Sequence, residues 1–97
     1  MPAITRDGVD PSAGHCFPPR PTDSSGQSPS VFVNNIAATV VGAHYPTHCC
    51  GKPCHDGVAS AGSSSVFIEN KPVHRIGDAI SCGDISASGS PNVFAGG

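Results

Sequence analysis

The chain has no tryptophan, one tyrosine and one methionine, and only 12 % of its 97 residues are Asp, Glu, Lys or Arg, with a net charge of -2. So sparse and nearly balanced a charge set excludes the basic surface a nucleic-acid binder needs. Long apolar runs are also missing. The longest uncharged stretch, residues 24–51, is broken by Pro29, Asn34, Asn35, His44 and Pro46, which excludes a membrane span. The opening Met1-Pro2-Ala3-Ile4-Thr5-Arg6-Asp7-Gly8 lacks the basic start and apolar stretch of a secretory leader, so synthesis in a reducing cytoplasm is expected. There is no Gly-x-Ser-x-Gly, no His-Glu-x-x-His and no phosphate-binding glycine loop, and the chain reads as a non-enzyme. With 12 Gly and 10 Pro, long helices are excluded too, since these residues cost roughly 1 and 3 kcal/mol at a helix-interior position.

What the chain does have is a phrase written three times: Ser28-Pro29-Ser30-Val31-Phe32-Val33-Asn34, Ser63-Ser64-Ser65-Val66-Phe67-Ile68-Glu69 and Ser90-Pro91-Asn92-Val93-Phe94-Ala95-Gly96. Each Val-Phe-aliphatic run alternates with period two and predicts a short strand. Asn34-Asn35 and Glu69-Asn70 read as tight turns. Ala38-Thr39-Val40-Val41 and Val73-His74-Arg75-Ile76 read as return strands, ended by Gly42 and Gly77. The segment 2–8 resembles a third return strand without its leading strand, and 90–97 is a leading strand without its return. The two ends are therefore expected to dock and close one small, mainly β domain, residues 1–97, of three pseudo-three-fold hairpin repeats. Phe32, Phe67 and Phe94 fall on one strand face. Val31, Val33, Val66, Ile68, Val93 and Ala95 fall on the other, and this second set is the expected docking face for a three-fold partner, with the Phe face as the alternative.

The irregular connections, 10–27, 43–62 and 78–89, hold all five cysteines and four of the five histidines. An odd cysteine count without a leader argues against a disulfide framework and for metal binding. Imidazole and thiolate together suit Zn²⁺. His15, His48 and Cys82 lie at similar offsets after Asp10, Gly42 and Gly77, and the longest connection adds His55. These four predict a closed tetrahedral, structural zinc site near the three-fold axis of the domain. Spacing does not choose between His48 or His55 and their neighbours Cys49, Cys50 and Cys54. Asp56 is read as orienting a ligand imidazole. His44 and His74 read as ordinary hydrogen-bonded imidazoles, and Cys16 as a packing residue.

The pattern Ser-Pro-x-Val-Phe-Val-Asn, then Pro72-Val73-His74-Arg75-Ile76-Gly77-Asp78, with the opening Met1-Pro2-Ala3-Ile4-Thr5-Arg6, resembles the PAAR repeat family over nearly the whole chain. The first internal copy departs from it: residues 37–43 lack the Arg and the Asp, so the ion pair at that corner is in doubt. The resemblance implies a sharp cone whose base binds the blunt end of a trimeric β-helical spike, one chain per trimer, with one Zn²⁺ held near the apex by three His and one Cys. Those roles transfer to His15, His48, His55 and Cys82. It implies a place at the spike tip of a contractile machine, in a phage tail baseplate or a type VI secretion apparatus, and transient contact with a target membrane. Ending at Gly97, the chain is expected to carry no fused effector and looks most like a stand-alone phage tip. The alternative reading is a stand-alone zinc-binding interaction module with a different partner.

Overall fold

The computed structural model describes residues 1–14, 18–23, 31–49 and 54–96; the side chains of His48 and His55 are not among what is described. The described residues contain strands, bridges and turns and no helix. They make three two-stranded antiparallel sheets. β1 (Phe32–Val33) pairs with β2 (Ile36–Ala37), β3 (His44–Cys49) with β4 (Cys54–Val58), and β5 (Phe67–Ile68) with β6 (Lys71–Pro72). The molecule measures 38 × 23 × 22 Å.

β1–β2 and β5–β6 are the hairpins the repeats predict. Their turn residues Asn34, Asn35, Glu69 and Asn70 all have positive φ, between 52° and 68°. Two consecutive left-handed residues are what a two-residue turn matching strand twist requires. The third hairpin is assembled from the two ends of the chain. Phe94 pairs with Ala3 as Phe32 pairs with Ala37 and Phe67 with Pro72. One backbone bond recurs in all three: Ala38 N–H to Val31 O, Val73 N–H to Val66 O and Ile4 N–H to Val93 O, at 3.0–3.1 Å. The expected closure is therefore present. Arg75 reinforces it by donating from Nη1 to the Gly96 carbonyl at 3.0 Å.

The return strands differ from expectation. Pairing within the hairpins ends with 36–37 and 71–72 and the single bonds from Ala38 and Val73 that follow them. The residues after them leave to pair with one another and with the N-terminal segment: Val40 with Val73, Ile4 with Arg75, Arg6 with Ala38. At the centre, Thr5 N–H donates to His74 O, His74 N–H to Thr39 O and Thr39 N–H to Thr5 O, at 2.9–3.0 Å. Three strands thus close a ring of hydrogen bonds that leaves these backbone groups satisfied without any of the three being an edge.

Packing follows the ring. Val33, Ile68 and Ala95 form one triplet of equivalent positions and Ile4, Ala38 and Val73 a second; together with Val40 they make the main core. Thr5, Thr39 and His74 alternate with the second triplet, so they leave the other side of the ring, and all three are fully buried. On that side lies a thinner cluster of Ala43, Tyr45, Ala59 and Ile80, with Cys82 packed against it. Two corners carry a charged clasp: Arg6 Nε to Asp10 at 2.7 Å and Arg75 Nε to Asp78 at 2.9 Å, each carboxylate also accepting the arginine's own backbone N–H. At the third corner, the one lacking Arg and Asp, buried Val40 and Ala43 extend the apolar packing instead.

Equivalent glycines mark where the chain passes closest to the ring. A Cβ on Gly62 would lie 2.5 Å from the Val73 carbonyl oxygen, and one on Gly89 2.8 Å from that of Ile4. The next residues, Ser63 and Ser90, donate their N–H to those same carbonyls at 2.8 Å. Gly62→Ala is therefore expected to lose about 1–3 kcal/mol by overpacking against backbone; thermal melts that match the parent would show that the approach is looser than this.

The connection 43–62 is not irregular, contrary to expectation: it contains the longest hairpin, β3–β4. Its register slips between Tyr45 and His48. Pro46, which has no N–H to donate, sits in that slip. Alternation of apolar and polar residues is absent from His-Tyr-Pro-Thr-His-Cys, which is why the strand is not legible in the sequence.

Candidate functional site

Two regions of the fold bear on function: the hairpin end, or base, and the connections on the far side of the ring. At the base the expected docking face is reversed. Val33, Ile68 and Ala95 are only 5 %, 8 % and 1 % exposed, and Val66 and Val93 pack against them, so that row is core. Of the expected set only Val31 is exposed. The outward row is the phenylalanines: Phe32, Phe67 and Phe94 are 59 %, 54 % and 48 % exposed at three equivalent positions. The reason is the ring: its inner triplet needs a matching apolar layer, and the branched or small residues fit between three converging strands where three phenylalanines would not.

On the far side, His15 lies outside the described residues. His48 and His55 are register partners across β3–β4, and Cys49 and Cys54 are the next pair outward. Cys82 is a half-buried free thiol. Gly57 lies two residues from His55 on β4, and a Cβ there would meet Ile80 Cγ2 at 2.8 Å and Cys82 Sγ at 3.0 Å, so both side chains rest in the space left by the missing one. The chemistry of this set, one thiol against a strand pair bearing two facing histidine positions, fits Zn²⁺. Among the described residues no group of three or more His, Cys, Asp or Glu is arranged to hold a metal.

The reading against disulfides needs correction at one pair: Cys49 and Cys54 are bonded to each other. They face one another because the connection is a hairpin, which the spacing alone does not reveal. In this state neither is available in place of His48 or His55. Asp56 does orient an imidazole, but that of His44, whose Nε2 lies 3.5 Å from its carboxylate. Asp56 also accepts from the Thr47 hydroxyl, and His44 Nδ1 meets Asp23. The bond to Asp23 raises the His44 pKa, with Asp56 contributing in the same sense. His74, as expected, is an internal imidazole: Nδ1 bonds the Ala61 carbonyl at 2.8 Å, and burial holds its pKa down.

Sequence reasoning missed Arg20 and Tyr45. Together with Ser12, Pro46, Ile80 and Asp84 they line a cleft that includes Cys82. Tyr45 is 3 % exposed, and Arg20 Nε is buried without a hydrogen-bond partner. Burial is the main cause of a raised Tyr45 pKa; Asp84, Asp10 and Cys82 add to it, and Ser86 opposes it. Tyr45 is the chain's only tyrosine and lies between His44 and His48 in sequence, which is the one signal that could have drawn attention to it.

The PAAR motif model matches residues 21–88, which spans the two complete hairpin repeats and the connection between them. No curated protein matches the chain. With more than two thirds of its length matched, and with the two ends completing the same hairpin pattern, the chain belongs to the PAAR motif family.

Proposed function

We propose that this protein is the structural tip of a contractile injection machine, capping the blunt end of a trimeric β-helical spike. Membership of the PAAR motif family relates it to spike-tip proteins of contractile or type VI secretion machinery. The single observation that carries the finer reading is the exposed phenylalanine triplet. One chain presents Phe32, Phe67 and Phe94 at equivalent positions on three hairpins. A monomer gains nothing from leaving three aromatic rings in water at one end, and such a patch fits a partner that repeats the same pocket three times. The other end has the thinner core, and one Zn²⁺ on His15, His48, His55 and Cys82 would tie the connections together there. In this reading the protein has no catalytic role and binds no nucleic acid; it is carried at the spike tip and meets the target membrane first.

Phe67→Asp tests it. The side chain is mostly in solvent, so the fold and any bound metal are expected to persist, while co-purification with the trimeric spike protein is expected to fall by 100-fold or more, since a buried unpaired carboxylate at an interface centre costs on the order of 3 kcal/mol or more. Undiminished binding by this variant, and by the corresponding Phe32→Asp variant, would remove the phenylalanine row from the interface.

A further inference from the structure

We propose that the spike joins this protein by strand addition, its terminal strands hydrogen-bonding to the backbone N–H and C=O of Phe32, Phe67 and Phe94. The inference rests on the spike-tip reading above and adds main-chain contacts to the side-chain ones. In an antiparallel ladder, residue pairs that exchange hydrogen bonds alternate with pairs that do not. Phe94 and Ala3 are a pair of the second kind. The bonds beside them run from Ile4 N–H to Val93 O and from Ala95 N–H to Pro2 O, both at 3.0 Å. The bonds from Ala38 N–H to Val31 O and from Val73 N–H to Val66 O put the pairs Phe32–Ala37 and Phe67–Pro72 in the same class. Pro72 fits there because an N–H at that position would not serve its own hairpin. The peptide groups of the two members of each pair therefore point out of the hairpin, to opposite sides.

On the return side they are used. Ala37 O accepts from Asp7 N–H at 2.8 Å, Pro72 O from Val41 N–H at 2.9 Å and Ala3 O from Ile76 N–H at 3.0 Å, which ties every return segment to the residues leaving the ring. On the leading side nothing answers: among the described residues, no hydrogen bond reaches the N–H or C=O of Phe32, Phe67 or Phe94. Outward from the ring, the order at each corner is return segment, leading strand, open edge. A free protein guards such an edge with charge or proline, and Val31-Phe32-Val33, Val66-Phe67-Ile68 and Val93-Phe94-Ala95 carry neither. Three open edges related by one pseudo-three-fold axis match a partner that ends in three equivalent strands with unpaired edges of their own, as a trimeric β-helix does. The main-chain bonds would set the register, and the exposed phenylalanine rings on the same strands would add apolar contact.

Amide hydrogen exchange on the isotope-labelled full chain tests this without a variant. In the chain alone, the amides of Phe32, Phe67 and Phe94 are expected to exchange at unprotected rates, and those of Ile4, Ala38 and Val73, already bonded, to be slow. In complex with the trimeric spike protein, the three phenylalanine amides are expected to slow by about 100-fold or more. A complex in which they exchange as fast as in the free chain would overturn strand addition and leave a cap held by side chains, with the proposed function intact. Slow exchange in the chain alone would overturn it as well, and loss of that protection on dilution would assign the edges to a second copy of this chain. Absence of any complex would remove the spike-tip reading and this inference with it. Phe67→Leu and Phe67→Pro then separate side chain from backbone, because leucine keeps the N–H and proline removes it. Where thermal melts show both variants folded, the proline variant is expected to bind the spike about 10-fold more weakly than the leucine variant; equal binding would overturn the proposal at that edge.

Discussion

Chelation is expected to unfold the metal-loaded protein. Elemental analysis of untagged protein, purified without added metal, should give about one zinc per chain, and a strong chelator should then abolish its cooperative melt. The magnitude follows from the uneven core. The base has seven buried apolar residues in one cluster; the far side has four, of which two are alanines. A structural zinc site contributes on the order of 10 kcal/mol at neutral pH, against a total stability of about 5–15 kcal/mol for a typical domain. Protein that purifies without metal and melts identically with and without chelator would contradict a structural zinc, and the connections would then have to hold themselves through the β3–β4 ladder and its disulfide.

Ile68→Asp is expected to be the most damaging single change at the base, and for a reason opposite to that of its neighbour. Ile68 lies within the main core cluster, 8 % exposed and packed among apolar side chains. Burying it unpaired costs several kcal/mol, a large share of the stability of a domain this small. The expected result is loss of the cooperative transition, with failure to bind the spike only as a consequence. Phe67→Asp, one residue away but outward, should lose binding and keep the fold. If Ile68→Asp folds normally and loses only binding, the branched row is the docking face after all.

Much of the architecture was legible because the chain repeats itself. The Val-Phe phrase and the Asn34-Asn35 and Glu69-Asn70 turns located two hairpins, and the complementary end fragments located the third. What the repeats could not convey is handedness toward the core. Alternation separates Phe67 from Ile68 but does not say which side is inward; that depends on the space between three converging strands, which admits Ile68, Val33 and Ala95. The departure of residues 38–41 and 73–76 from their own hairpins was hidden for a similar reason, since pairing within a repeat and pairing between repeats make the same pattern. At the candidate metal site, residue types showed the chemistry and spacing suggested the members. Register was needed to bring His48 opposite His55 and to place Cys49 against Cys54. Tyr45 and Arg20 lie 25 residues apart in the sequence and share a cleft only through the fold.

The hairpin formed by the two chain ends has a further implication. Phe94 and Ala3 keep the pairing that Phe32 and Ala37, or Phe67 and Pro72, keep across a covalent turn. The fold is therefore indifferent to which of its three corners is continuous. A chain rearranged to run through that junction by a short linker, and opened instead between Asn34 and Asn35, would present the same ring, the same two cores and the same three aromatic contacts. Its order of synthesis would change, and with it which corner closes last.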